Sequence, residues 1–282
     1  MNRVLLGDNL DVLQTMPSDS VPLIYIDPPF NTGKTQRRTS IRTVRDEAGD
    51  RRGFGGHTYR THGEGSMAYQ DAHDDYLAWL EPRLREVHRV LTPNGTLYCH
   101  LDYREVHYCK VLLDTIFGRE SFLNEIIWAY DYGGRTSRKW PPKHDNILLY
   151  AKDPERYTFN THDMERLPYL APKLAGPEKA ARGKLPTDTW FLTIVSPTGK
   201  EKTGYPTQKP LRLLERIIRA SSNPGDTVLD CFAGSGTTGL AAHALGRSFI
   251  LIDNNPEALA VMQRRFQGFP VESGSYSSKQ ED

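Results

Sequence analysis

The residues with the clearest chemistry in this chain are Asp27-Pro28-Pro29-Phe30, which follow directly on Leu23-Ile24-Tyr25-Ile26. The four preceding residues, apolar or aromatic, read as a buried strand. Two consecutive prolines set two φ angles and remove two backbone donors, so carbonyl oxygens stand there with no N–H beside them. A carboxylate and a free carbonyl therefore converge at a strand end, with an aromatic ring close behind. Such a pocket suits a flat molecule that carries an NH2 group. The same residues would also serve as a plain Asp-Pro turn, so the pattern needs a second site.

That site is Phe232-Ala233-Gly234-Ser235-Gly236-Thr237-Thr238-Gly239, which joins a strand to a helix. Glycines there let the backbone approach a ligand, and the helix N-terminus favours anionic or polar groups. The spacing of Gly234, Gly236 and Gly239 satisfies the dinucleotide fingerprint, and Asp253 is placed to accept from ribose hydroxyls. A nicotinamide or flavin oxidoreductase is thus one reading. Two features favour an adenosyl-type ligand instead. The fingerprint comes near the C-terminus with a single strand after it, and Asp230 with Thr237-Thr238 suits an amino-acid moiety better than a pyrophosphate.

Around these sites the chain alternates strands and helices, the pattern of a doubly wound, mostly parallel α/β sheet. Val4–Gly7 reads as a strand ending at Asp8, and Leu10–Met16 as a short helix. Leu77, Leu80, Leu84, Val87 and Leu91 mark an amphipathic helix, with Pro82 as a kink or a start. Residues 31–75 show no clear periodicity and read as a long mobile loop. Four units follow: residues 1–151 as a catalytic half, 152–203 as an insertion, 204–270 as a second half, and 271–282 as a disordered tail. Within the insertion, Trp190–Val195 calls for burial.

Composition is that of an ordinary soluble protein, with 38% hydrophobic and 25% charged residues. No apolar run is long enough for a membrane span, and a reducing cytoplasm is the expected compartment. Cys99, Cys109 and Cys231 are too few and scattered for a zinc site or a disulfide framework. His100, His144 and Asp102 show no ligand spacing and read as structural polar groups, so no metal is expected. Net charge is only +1, but Arg37 and Arg38 lie in one basic stretch, and Arg135, Arg138 and Lys139 in another. Two local basic stretches in a neutral protein suggest a polyanion on one face.

Taken in order, Asp27-Pro28-Pro29-Phe30, Tyr205-Pro206-Thr207-Gln208-Lys209-Pro210 and Phe232–Thr237 resemble the DNA amino-methyltransferases of the beta class, over about residues 2–266. The resemblance implies a Rossmann-like methyltransferase sheet, circularly permuted so that Val4–Gly7 lies beside Ile250–Ile252, with 152–203 as a target-recognition region. It implies S-adenosyl-L-methionine as cofactor. Asp253 would take the ribose hydroxyls, and Asp230 with Phe232, Ala233, Gly234, Ser235, Gly236 and Thr237 the methionine part. Thr207 and Lys209 would reach its carboxylate, and Asp8 is a candidate for the adenine end. Asp27, Pro28, Pro29 and Phe30 would hold a base flipped from double-stranded DNA, adenine N6 ahead of cytosine N4. Arg37, Arg38, Arg135, Arg138 and Lys139 would contact DNA. No Pro-Cys pair exists for a cytosine-carbon mechanism. A homodimer, a cognate restriction endonuclease and a place at the nucleoid belong to the same set of expectations.

Overall fold

A computed structural model of the chain describes residues 1–32, 34–46, 48, 51–52, 58–71, 75–134, 136–196 and 199–276. Its first elements are β1 (Asn2–Leu6), α1 (Asn9–Thr15), β2 (Val21–Ile26), β3 (Lys34–Arg45), β4 (Arg51–Arg52), β5 (Thr58–Asp71) and α2 (Tyr76–Val90). Next come β6 (Leu91–Leu101), α3 (Val106–Phe117), β7 (Phe122–Ala129) and β8 (His144–Ala151). The insertion carries α4 (Pro172–Ala175), α5 (Pro177–Arg182) and β9 (Thr189–Phe191). The chain closes with α6 (Leu211–Ser221), β10 (Thr227–Asp230), α7 (Thr237–Ala244), β11 (Ser248–Asp253), α8 (Pro256–Arg265) and β12 (Val271–Ser275).

Nine strands form one sheet in the order β12-β1-β11-β10-β2-β6-β8-β7-β9. From β12 to β6 every neighbouring pair is parallel, and β8 runs antiparallel to β6 and β7. Residues alternate across a strand, and here both faces are apolar. Leu23 and Tyr25 join the core beneath α6, α7 and α8, while Ile24 and Ile26 join the one beneath α1, α2 and α3. A parallel sheet covered by helices on both sides is the outcome of that pattern. Among the described residues no helix is long and apolar enough to cross a membrane.

The permutation is visible in the register. Val4 lies opposite Leu251 and Leu6 opposite Asp253, so the first strand completes a sheet built mostly from the far end of the chain. Two stretches differ from expectation. Val271–Ser275, counted with the disordered tail, pairs parallel with β1 from Asn2–Val271 to Leu6–Ser275. Its polar composition hid the strand, because an edge strand with one open side needs few apolar residues. Residues 277–282 lie outside the described residues. The expected loop 31–75 carries a long antiparallel pair, β3 with β5, and β4 adds to β5. Thr35, Thr39, Ile41, Thr43 and Val44 are β-branched, a composition that favours strands.

The insertion docks on the main body. Its β9 pairs with β7, Trp190 is buried, and the Arg216 guanidinium of α6 stands 4.9 Å from the Trp190 ring centre while pairing with Glu165. Leu192 is buried as well, whereas Phe191 between them is exposed.

Helix α7 lies close against β11 because Gly239 has no side chain. A Cβ there would stand 2.7 Å from Leu251 Cδ1 and 3.0 Å from Phe266 Cζ. Overpacking of this kind costs about 1–3 kcal/mol, against roughly 1 kcal/mol gained in helix propensity. Gly239→Ala is therefore expected to lower the urea midpoint, by up to about 2 kcal/mol of stability.

Candidate active site

Four neighbouring strands, β1, β11, β10 and β2, each deliver an aspartate at the carboxyl edge of the sheet. Asp253 and Asp230 end their strands, Asp27 follows β2 directly, and Asp8 stands just beyond β1. Doubly wound sheets bind ligands at this edge. A cavity of about 450 Å³ opens there, and all four aspartates line it. Pro28, Pro29, Phe30, Thr207, Lys209, Phe232, Ala233, Gly234, Ser235 and Thr237 line it too, so the three motifs meet in one place.

Three of the four carboxylates also hold the protein together. Asp8 caps α1 by accepting from the Leu10 N–H at 2.8 Å, and it pairs with Arg83 at 2.8 Å. Arg83 is buried, stands 4.5 Å from the Trp79 ring centre and donates to Asn9. Asp253 accepts from Gly234 N at 2.7 Å and from Asn255 N at 2.9 Å, and burial raises its carboxyl above the ordinary range. Asp230 accepts from Phe232 N at 3.0 Å and Thr238 Oγ1 at 2.5 Å. Burial pushes it up to about 7, aided by the charges of Asp27 and Asp253 and opposed by those two hydrogen bonds.

Asp27 is different. Its Oδ2 accepts from Lys209 Nζ at 2.5 Å, and Nζ stands 5.1 Å from the centre of the Phe30 ring. Its Oδ1 is buried and has no hydrogen-bond partner among the described residues. A buried acceptor without a donor is costly, so this oxygen is set for a donor from outside. Lys209, expected on the cofactor carboxylate, thus has Asp27 as its partner. The turn that delivers it contains Thr207 at φ 57°, a left-handed conformation strained for a β-branched residue.

The glycine loop divides its roles. Gly234 adopts φ 50°, and a Cβ there would stand 3.1 Å from Tyr205 Cε1 in the cavity wall. Gly236, expected at the ligand, faces the other way: at φ 74° its Cβ would meet Met262 Cγ at 2.8 Å, and it does not line the cavity. The reason is packing of the loop onto α8. Arg265 of that helix donates to Thr237 Oγ1 at 2.8 Å and to the Ser235 carbonyl at 3.0 Å. Arg83 and Arg265 were not singled out from the sequence, and Tyr205 was named there only as the start of its motif. The available signal was an arginine on the apolar face of a helix, for Arg83 and Arg265 alike.

Of the basic residues, Arg138 and Lys139 are exposed on the loop between β7 and β8. That loop leaves the same sheet edge, since Leu101 at the end of β6 faces Asn146 at the start of β8. Lys143 braces it by donating to the carbonyls of Gly133 and Gly134 at 2.8 and 3.1 Å. Arg135 and the side chains of Arg37 and Arg38 lie outside the described residues.

Comparison with known proteins agrees with this geometry. A family model described as an N6/N4 DNA methylase matches residues 21–264. Type II methyltransferase M.HpaI of Haemophilus parainfluenzae is 33% identical over 271 residues, 95% of this chain and 76% of its own length. DNA adenine methyltransferase YhdJ of Escherichia coli K12 is 32% identical over 270 residues, 93% of this chain and 81% of its own. In fold, the chain resembles the M1.HpyAVI–SAM complex with a TM-score of 0.60 at 24% identity, over 94% of this chain and 99% of that one. The cytosine-N4-specific PvuII DNA methyltransferase gives 0.62 at 19% identity, over 99% and 87%.

The chain belongs to the N6/N4 DNA methylase family, S-adenosylmethionine-dependent enzymes that methylate DNA. The dinucleotide oxidoreductase left open by the glycine spacing is thereby set aside. The cavity concurs: four carboxylates line it, and its two basic residues, Arg83 and Lys209, are already paired. A cationic sulfonium with an ammonium group fits such a wall better than a pyrophosphate.

Asp230 gives a pH signature. Between about pH 4 and pH 7 the folded chain holds a proton on Asp230 that the unfolded chain has released. Stability should therefore fall as pH rises through that window, by up to about 1.4 kcal/mol per pH unit, and level off above it. Urea unfolding from pH 5 to 8 should show this slope, and Asp230→Asn should remove its share.

Proposed function

We propose that this protein methylates N6 of adenine at a specific sequence in double-stranded DNA, with the base flipped into the cavity. The observation that carries the reading is the buried, unpartnered Oδ1 of Asp27 beside the donor-free turn Pro28-Pro29 and the Phe30 ring. A duplex hides the target amine, so the base must leave the stack. Phe30 stacks on it, and Asp27 Oδ1 with the Pro28 carbonyl accepts its two N–H bonds. Both acceptors draw the nitrogen lone pair out of conjugation. Lys209 fixes the orientation of Asp27 through Oδ2.

S-adenosylmethionine supplies an electrophilic methyl group on sulfur. Asp253 would take its ribose hydroxyls, Asp230 with Phe232, Ala233, Gly234, Ser235 and Thr237 its methionine part, Thr207 its carboxylate, and Asp8 the adenine end. The enzyme's contribution is positioning and a preorganised field, and no covalent enzyme intermediate is needed. Adenine is favoured because the 32%-identical relative is named for adenine, while the cytosine-N4-specific likeness is at 19% and concerns the fold. Residues 152–203 and the 133–143 loop read the target, with Arg135, Arg138 and Lys139 on bases or phosphates. Arg37 and Arg38 add phosphate contacts. Candidate partners are a second copy of the chain and an endonuclease of the same specificity, and the place of work is the chromosome in the cytoplasm.

Two experiments test this. Methyl transfer from labelled S-adenosylmethionine to unmethylated DNA, with the nucleosides separated by mass, is expected to yield N6-methyladenine. N4-methylcytosine would keep the mechanism and overturn the base. Asp27→Asn should lower single-turnover methyl transfer by roughly 10²-fold or more while leaving cofactor affinity by calorimetry within a few fold. Turnover at the parental rate would refute the role of Asp27.

A further inference from the structure

A buried polar chain continues behind Asp27. His100 of β6 is fully buried, with Nδ1 2.7 Å from the Tyr25 hydroxyl and Nε2 3.2 Å from Asp145 Oδ2. Asp145 Oδ1 accepts in turn from the Tyr130 hydroxyl at 3.1 Å. His100 Nδ1 also stands 4.0 Å from Asp27 Oδ1, the oxygen without a partner. The rings of Trp128 and Phe30 flank the imidazole, with centres 5.5 and 5.9 Å away. The titratable groups facing His100 are therefore Tyr25 and Asp27 from β2 and its turn, and Asp145 from β8. Tyr130 and Lys209 stand one contact further out.

The protons of this chain can be assigned. Burial pushes the Asp145 carboxyl up, but the hydrogen bond from His100, then Lys209 and the Tyr130 hydroxyl, outweigh it and leave the carboxyl below its ordinary range. An ionised Asp145 takes the Nε2–H, so Nδ1 is the ring nitrogen that meets Tyr25. Burial first, and Asp27, Asp230 and Asp145 next, push the Tyr25 phenol far up, so Tyr25 keeps its proton and donates it to Nδ1.

We propose that His100 is a positioning residue that takes up, through Asp27, the proton released when the target amine is methylated, with Asp145 stabilising the resulting imidazolium. The proposal rests on the amine-methylation reading above. The amine nitrogen uses its lone pair to bond the methyl carbon, and the carbon–sulfur pair stays on sulfur. One N–H bond returns its pair to nitrogen and gives its proton to Asp27 Oδ1, from which it passes to His100 Nδ1. Tyr25 rotates its hydroxyl off Nδ1 as this happens. The closed site starts with one positive charge on sulfur and ends with one on the imidazolium, so its net charge is unchanged at each stage. Passage needs Oδ1 and Nδ1 to approach by about 1 Å, a tightening usual when an active site fills. The proton reaches solvent once the product leaves.

The test compares the parent with His100→Asn and Asp145→Asn in single-turnover methyl transfer to unmethylated DNA from pH 6 to 9. Calorimetry gives cofactor and DNA affinity alongside. His100→Asn should bind both within about threefold of the parent yet transfer roughly 10²-fold more slowly near neutrality. The deficit should shrink as pH rises and solvent takes over the proton. Asp145→Asn should show a weaker form of the same profile. Nitrogen-15 NMR of the free enzyme should show His100 with Nε2 protonated and Nδ1 bare. Parental rates at every pH, a loss that is equal at all pH values, a ring protonated on both nitrogens at pH 7, or failure of both variants to fold would each overturn the proposal. Absence of transfer by the parent itself would instead overturn the methylation reading on which it rests.

Discussion

Four like charges at the ends of adjoining strands are the constraint around which this protein is built. Strands lie about 4.8 Å apart, and two carboxylates at that spacing repel by about 3 kcal/mol in a partly screened interior. The chain meets the four in four ways. The outer two, Asp8 and Asp27, each receive a cation, Arg83 and Lys209. Of the inner two, Asp253 is held by backbone N–H groups and Asp230 by an N–H and a hydroxyl, its carboxyl lifted towards neutrality. Each solution orders a different piece: Asp8 starts α1, Asp253 clamps Gly234, Asp230 clamps Thr238, and Asp27 draws in the 204–210 turn. The cavity wall and the scaffold are therefore the same set of bonds, and acidity suited to a cationic cofactor comes with no free cation among the lining residues.

The Lys209–Asp27 pair also links the two halves of the chain, from partners 182 residues apart. Lys209 is buried and the Asp27 side chain is 16% exposed, so little solvent competes with the pair. Lys209 also faces the Phe30 ring, whose centre stands 5.1 Å from Nζ. Its donation to one oxygen leaves the other oxygen free, and that division gives Asp27 a fixed direction in which to accept.

Much of this was legible from the residues. Asp27-Pro28-Pro29-Phe30 and the 232–237 loop announce themselves through prolines and glycines, whose backbone consequences are local. The permuted sheet was implied by the family resemblance of the three motifs, and Val4 opposite Leu251 bears it out. Partnerships were not legible. Nothing near Lys209 in sequence says that it will meet Asp27 rather than a ligand, and nothing near Gly236 says that its Cα will face Met262. The strand β12 was missed because its edge position leaves no buried stripe to read.

His100 shows the same limit at its sharpest. Between Cys99 and Leu101 it is one polar residue in an apolar strand, and alone that pattern indicates a core histidine with a satisfied ring. The ring is indeed satisfied, by Tyr25 and Asp145. What sequence could not supply is register: Ile26 pairs with Cys99 and His100 with Ile147, which sets the imidazole beneath the turn that begins at Asp27. Tyr25 of β2 with Asp27 just beyond it, His100 of β6 and Asp145 of β8 converge there from three strands. A strand slipped by one residue would turn His100 to the other face and leave Asp27 with no basic group but Lys209. The hydrogen bonds of the sheet thus decide which side chains stand behind Asp27, and the make-up of the cavity begins with strand register.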